Sequence, residues 1–486
     1  MLLSLDLRSL AAFRVLLAIT VCVDLCCKGV DVGVFYSDIG VVPRADALSW
    51  FADLLYWPPA LAFSSGSVIG QLLIFGMAVV AAICCAVGFR TQLAAGLTWF
   101  LLTSIQLRNP LITFGSDTLL RVLFFWGQFL PLGAVWSIDR IRRGGGDHYP
   151  RSVTVAGTIG LMVQITLVFV IAGAVKMASP AWKAGQGIAL ALGYDQVVRP
   201  LGVMLRQWPE LCTLLSFFVM ATETCGAFCL LIPAAAVRSL GIIGLALALI
   251  GFELTLRVGL FPIAGLICLV PFIPPLFWDR LGLTAGRDEV AFVSNGTRES
   301  LWAWVVSSVA GMSLVFVLVW SIGLWHQAGY RAPAPLQAFG DTLSLRQQWG
   351  MFTIDPEAGW FLVPGRLRDE STVNLFALGG PLPTIKEALG ASTESSQPPV
   401  PGQSQFANMR WQIYFMHFVE LPDETGPFEF YGRYLCREWN REHFGERQLV
   451  ELQIVFMGRN AQSDHNAPAM VGYQRKVLWQ HWCFGG

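Results

Sequence analysis

What most constrains this chain is a succession of apolar blocks, each about the length an α-helix needs to cross a bilayer. Read in order, the spans are Leu10–Cys27, Val68–Val87, Leu93–Ile105, Leu119–Val135, Val153–Val175, Leu211–Ile232, Leu240–Leu256, Leu260–Phe277 and Leu301–Leu324. The third and eighth are short or interrupted by proline, so the expected bundle has about 8–9 spans. Hydrophobic residues make up 54% of the chain and charged residues 14%. A single soluble globule of 486 residues has no use for so much apolar surface. The fold class expected is an all-α polytopic membrane helical bundle followed by a soluble α+β domain.

Net charge is +0, which gives no electrostatic footprint for nucleic acid and leaves membrane lipids as the obligatory partners. The first block resembles a secretion signal only superficially. Arg14 lies within it, and Val23-Asp24-Leu25-Cys26 offers no small-x-small cleavage site. It is read as a retained span.

Loop charges set the expected orientation. Arg140, Arg142, Arg143 and Arg151 lie between the fourth and fifth spans, and Arg280, Arg287 and Arg298 between the eighth and ninth. Arg8 and Arg90 join them on one side if the spans alternate. Short basic loops stay cytoplasmic. The N-terminus is then inside, the C-terminal part is outside, and the sequon at Asn295-Gly296-Thr297 faces the cytoplasm unused.

The composition changes near His326, which divides the chain into a transmembrane domain, 1–325, and an exocytoplasmic α+β domain, 326–486. Leu336–Phe352 reads as an amphipathic helix. Trp360–Val363 and Val373–Phe376 read as strands turning at Pro364-Gly365, and Met409–Glu420 and Leu449–Phe456 as further strands. Tyr431–Asn440 reads as a helix and Ser392–Ser404 as a flexible loop. Of the 11 cysteines, only Cys436 and Cys483 fall in this polar part, where an oxidising compartment would allow a disulfide. Cys225 and Cys229 are one helical turn apart without further ligands, so no metal is expected.

Ionisable residues inside spans are costly and are site candidates by default. Asp24/Lys28, Asp117/Arg121 and Glu253/Arg257 are each spaced to neutralise one another along a helix. The competing explanation is internal ion pairs that hold helices together. Arg14 and Glu223 have no local partner. Lys176 closes the apolar run of Val163–Gly185, just before Pro180. A lysine at a span's rim ordinarily extends to the headgroups, whereas a desolvated one can serve as a base near neutral pH.

Around that lysine, Ala172-Gly173 precedes Lys176 by an x-x gap, and Trp182 and Gly185 follow. This order resembles the segment carrying the active-site base of vitamin K-dependent gamma-glutamyl carboxylase. That enzyme shares its membrane region with the bacterial horizontally transferred transmembrane (HTTM) proteins. Tyr36-Ser37-Asp38-x-Gly40 with Pro43-Arg44 is similar to the HTTM stretch after the first helix. Gly88-Phe89-Arg90-Thr91, Arg108-Asn109-Pro110, Gly115-Ser116-Asp117 to Arg121, Pro131-Leu132-Gly133 and Trp136-Ser137-Ile138-Asp139 follow in the family's order. Arg433-Tyr434-Leu435-Cys436-Arg437 and Trp439-Asn440 resemble the outer domain of bacterial members.

The resemblance implies a bacterial inner-membrane protein that uses a reduced quinone (vitamin K or menaquinone hydroquinone), with Lys176 as base and an exported peptide as substrate. Arg108, Asn109, Asp117, Arg121, Trp182, Glu223, Glu253 and Arg257 are then the candidate lining of the quinone or substrate pocket. One position departs from the carboxylase pattern: Leu249 stands where a histidine is expected. The rival reading is a non-catalytic membrane protein that binds a lipid or a secreted peptide, as in toxin maturation. A transporter fits less well, because no inverted repeat is visible.

Overall fold

The structure, a computed structural model, describes residues 4–51, 60–144, 150–194, 197–283, 290–292, 301–326, 332–350, 359–376, 402–420, 425–459 and 473–484. Six helices among these residues are long and apolar enough to cross a membrane. They are α1 (Leu7–Gly29), α2 (Val68–Val87), α5 (Ala156–Ala178), α6 (Pro209–Cys229), α7 (Ala235–Thr255) and the Trp304–Gly323 stretch of α9 (Leu301–His326). The three other expected spans correspond to α3 (Thr91–Arg108), α4 (Gly115–Gly127) and α8 (Phe261–Leu269), which are more polar or shorter.

Burial separates lining from core. Along α2, Ile69, Leu73, Val80, Ile83 and Val87 are all exposed, an apolar stripe that suits lipid and not water. By contrast α4 is buried on every face from Leu119 to Gly127, with Arg121 its one charge there, as befits a largely apolar helix at the bundle centre.

A small sheet ties two helix starts together. Strand β1 (Leu5–Asp6) pairs antiparallel with β2 (Ser152–Thr154), which pairs parallel with β3 (Val290–Phe292). The N-terminal ends of α1 and α5 therefore share one end of the molecule. Lys28, at the close of α1, and Lys176, at the close of α5, share the other. Asp6 caps α1 by accepting from the Arg8 amide, and Arg8 then bridges Asp6 and Asp279.

The C-terminal region contains sheet. It comprises α10 (Ala334–Thr342), β4 (Gly359–Leu362), β5 (Pro364–Leu367), β6 (Thr372–Asn374), α11 (Met409–Glu420), α12 (Thr425–Glu442), β7 (Leu449–Arg459) and β8 (Tyr473–Trp482). The strands run β4-β7-β5-β6, with β8 on the other side of β7. Phe361, Phe415, Phe418 and Phe456 interlock beneath the sheet with ring centroids 5.0–6.2 Å apart.

Three local expectations are corrected. Met409–Glu420 is a helix, not a strand: buried Trp411, Tyr414, Phe415 and Phe418 fall at helical spacing, and Asn408 caps the start by accepting from the amides of Arg410 and Trp411. Aromatic composition had outweighed period. The helix expected over Leu336–Phe352 stops at Thr342, because Ser344 turns left-handed (φ 51) and the chain continues extended. Leu345, Gln347 and Trp349 are then buried alternately. Pro364-Gly365 is not a turn but the start of β5, a position a proline tolerates. The reversal comes later, around Glu370 (φ 64). The sequon and Ser392–Pro401 lie outside the described residues.

Candidate functional site

Pro180 cannot continue α5, and the residue before it, Ser179, is extended (φ −70, ψ 126). Lys176 is thus fixed in the last helical turn, and its side chain is 2% exposed. Its Nζ lies 2.7 and 3.0 Å from the two oxygens of Glu223. Glu223 sits where α6 widens into a π-helical turn, Thr222–Gly226, a local device often found at functional sites. The helices meet closely because residue 173 is glycine: a Cβ there would fall 2.6 Å from Thr224 and 3.1 Å from Glu223 Cβ. Trp182, fully buried, presents its ring 5.4 Å from the ammonium. Gly187 presses on the same indole, a Cβ there coming within 2.1 Å.

Lysine, carboxylate and indole thus converge in an apolar setting, with Phe114 among the neighbouring hydrophobic side chains. As an ion pair the two side chains are neutral as a unit.

A second buried cluster lies at the same end. Lys28 Nζ contacts Asp24 and, at 2.6 Å, Asp117. Arg410, from α11 of the C-terminal region, reaches Asp24 at 2.8 Å and Asp117 at 2.7 Å. Two cations and two carboxylates alternate in a closed ring. Asp117 also accepts from the Phe114 amide at 2.8 Å, at the start of α4. Burial opposes the charge of Arg410, yet Asp117 and Asp24 outweigh it and hold its affinity for the proton above the ordinary arginine range. Burial likewise pushes the Tyr36 phenol up to about 12, so it adds no anion to the ring.

The remaining sequence candidates are dispersed. Arg108 donates to the Val42 carbonyl at 3.0 Å and approaches Asp38 at 3.4 Å, while Asn109 donates to the Phe35 carbonyl at 3.0 Å. These contacts fix the segment after α1. Two expected helical pairs are corrected. Asp117 is taken by Lys28 and Arg410, so Arg121 donates instead to Gln106 at 2.8 Å. Glu253 pairs with Arg199 at 2.8 Å, because Arg257 lies beyond the end of α7 and donates to the carbonyls of Val198 and Gly402. Asp24/Lys28 do pair along their helix. Leu249 is buried against Gly265.

Arg410 escaped the sequence reading; a helical period over Met409–Glu420, with Arg410 off the apolar stripe, is the signal that would have exposed it. Cys436 and Cys483 are joined in a disulfide that closes a separation of 47 residues. Among the described residues no group of three or more His, Cys, Asp or Glu side chains is arranged to hold a metal ion.

A bundle of long apolar helices with an exposed apolar stripe and ion pairs buried between its helices defines an integral membrane protein. The profile of the HTTM domain matches residues 4–277, more than half the chain, and the chain belongs to that family. No curated protein and no solved structure matches it significantly.

Proposed function

We propose that this protein is a quinone-using oxygenase or carboxylase-like enzyme of the bacterial inner membrane, acting on an exported peptide with Lys176 as base. The observation that carries the reading is a buried lysine hydrogen-bonded to both oxygens of one carboxylate, Glu223, beneath an indole. A bound hydroquinone would supply the reducing electrons for oxygen and an acidic hydroxyl proton. For its own part, Lys176 first passes its ammonium proton to Glu223. As free amine, Lys176 would be placed to accept a proton from a bound hydroxyl, and as ammonium again it would carry the positive charge facing that site, beside a protonated Glu223. Trp182 keeps water from the amine, which protects a strong base from neutralisation.

Arginines gather at the opposite end of the bundle, at Arg8, Arg90, Arg140, Arg142, Arg143 and Arg151. That distribution supports a cytoplasmic N-terminus, with Lys176 and the domain 326–486 outside. The Cys436–Cys483 bridge supports the same orientation.

Oxygen uptake by purified protein with reduced menaquinone or vitamin K, alongside Lys176→Ala, tests the proposal, with quinone products identified by mass spectrometry. Lysine-dependent uptake with an epoxide product is expected; no uptake by folded protein with any reduced quinone would refute it. One observation favours the alternative, non-catalytic binding of a lipid or secreted peptide. Both Glu223 oxygens face Lys176, as in an ion pair that simply pins α5 to α6. Under that reading Lys176→Ala keeps its ligand.

A further inference from the structure

We propose that the end of the bundle opposite Lys176 carries a binding site for the phosphate headgroup of an anionic phospholipid. A cavity of about 430 Å³ opens at the tip of the α2–α3 hairpin, walled by Arg90, Gln92, Leu93, Asp139 and Arg143 among others. Arg90 and Arg143 are both exposed. Among the described residues neither guanidinium has a hydrogen-bond or ion-pair partner.

The acid in the wall, Asp139, forms an ion pair with neither guanidinium, although Arg143 feels its charge through space, and the wall keeps a net positive charge. Asp139 turns onto the start of α3, accepting from the amides of Arg90 (2.9 Å) and Thr91 (2.8 Å) and from the Thr91 hydroxyl (2.7 Å). These bonds turn the carboxylate toward the helix end. The same bonds hold Arg90 in the left-handed region (φ 44), where a residue with a side chain is strained. Arg90 in that conformation lines the cavity.

The surroundings specify a lipid over a soluble phosphate. Leu93 is 54% and Ile141 75% exposed, with Phe89 and Ile138 exposed beside them. The Arg142 guanidinium lies over the Phe89 ring at 5.3 Å. This apolar shelf continues into the exposed flank of α2 and α3 through Val87, Ile83 and Leu97. A phosphodiester between two planar, bidentate-capable arginines would place its acyl chains along that flank. A free phosphate needs no such shelf.

The site is independent of the chemistry proposed for Lys176, and so is its test. Full-length protein, stripped of lipid in neutral detergent, is titrated with phosphatidylglycerol, phosphatidylcholine or inorganic phosphate. Thermal midpoint and retained lipid by native mass spectrometry are read together. Arg143→Gln, whose side chain makes no internal bond among the described residues, serves as the fold-neutral variant, with Arg90→Gln added to it. Phosphatidylglycerol is expected to raise the midpoint and to be retained, phosphatidylcholine is not, and each arginine removed weakens binding about fivefold. Equal effects of the two lipids, or an unchanged affinity in the double variant, would overturn the site. Stabilisation by inorganic phosphate equal to that by phosphatidylglycerol would overturn the lipid assignment.

Discussion

Lys28 and Lys176 end two helices that start from the same small sheet, and each is only 2% exposed. Their partners differ in kind. Lys28 belongs to a ring in which Asp24 and Asp117 each touch both cations and Arg410 closes the circuit from the C-terminal region. Every charge there answers two others, and no proton can leave without exposing a neighbour. Among the described residues Lys176 has one carboxylate, carried by a π-helical turn, and an aromatic face. A saturated ring specifies docking; under the proposed function the single pair instead passes its proton across and back. Equal burial therefore does not make equal sites.

The widest test of that contrast is Arg410→Ala. It leaves two buried carboxylates sharing one lysine and should cost about 3–5 kcal/mol, the range for an orphaned buried charge. Denaturant unfolding and faster proteolysis of the C-terminal region would register it, and an unchanged midpoint would break the ring argument. Next comes Cys436→Ser. Opening a loop of separation 47 should cost the C-terminal region about 2–4 kcal/mol. Ligand binding at Lys176 should survive, as judged by intrinsic tryptophan fluorescence during quinone titration. Glu223→Gln is smaller still, about 1–3 kcal/mol, because the amide keeps shape and one hydrogen bond. A loss as large as that of Arg410→Ala would mean that the pair is structural as well.

The least effect expected is pH-dependent. Burial lowers the proton affinity of His481, with Arg433 assisting and Glu429 opposing. Its folded form therefore prefers the neutral ring, while the unfolded chain protonates near pH 6.5. The stability this contributes is present above that pH and is lost as pH falls below it. Thermal midpoints between pH 7.5 and 5.5 should decline modestly, and His481→Phe should flatten the decline.

Much of the membrane part was legible because bilayer thickness imposes one length on every span. Six blocks became long helices at nearly the expected bounds. Of the two short or proline-interrupted spans, Leu93–Ile105 lengthened to Thr91–Arg108, while Leu260–Phe277 shortened to Phe261–Leu269 where Val270-Pro271 tightens the chain. Lys176 stood out because Pro180 marks the helix end. Its partner Glu223 stood out too, but as a charge without an address. Pairing across helices depends on close approach at Gly173, which no local spacing reveals. For the same reason Asp117 and Glu253 were matched to the nearest cation along their own helices. The structure pairs them with Lys28 and Arg410, and with Arg199, which are distant in sequence. Arg410 was hidden by composition, since Met409–Glu420 has the aromatic residues of a strand at the period of a helix.

The most direct test sets the two lysines against each other, as Lys28→Met and Lys176→Met, in a single experiment that reads thermal midpoint and hydroquinone-dependent oxygen uptake per folded molecule. Lys176→Met should lower uptake by at least about 10²-fold, the range for a lost general base, with the smaller fall in midpoint. Lys28→Met should fall further in midpoint and keep its uptake per folded molecule. Uptake that persists without Lys176, or vanishes equally without Lys28, would contradict the account.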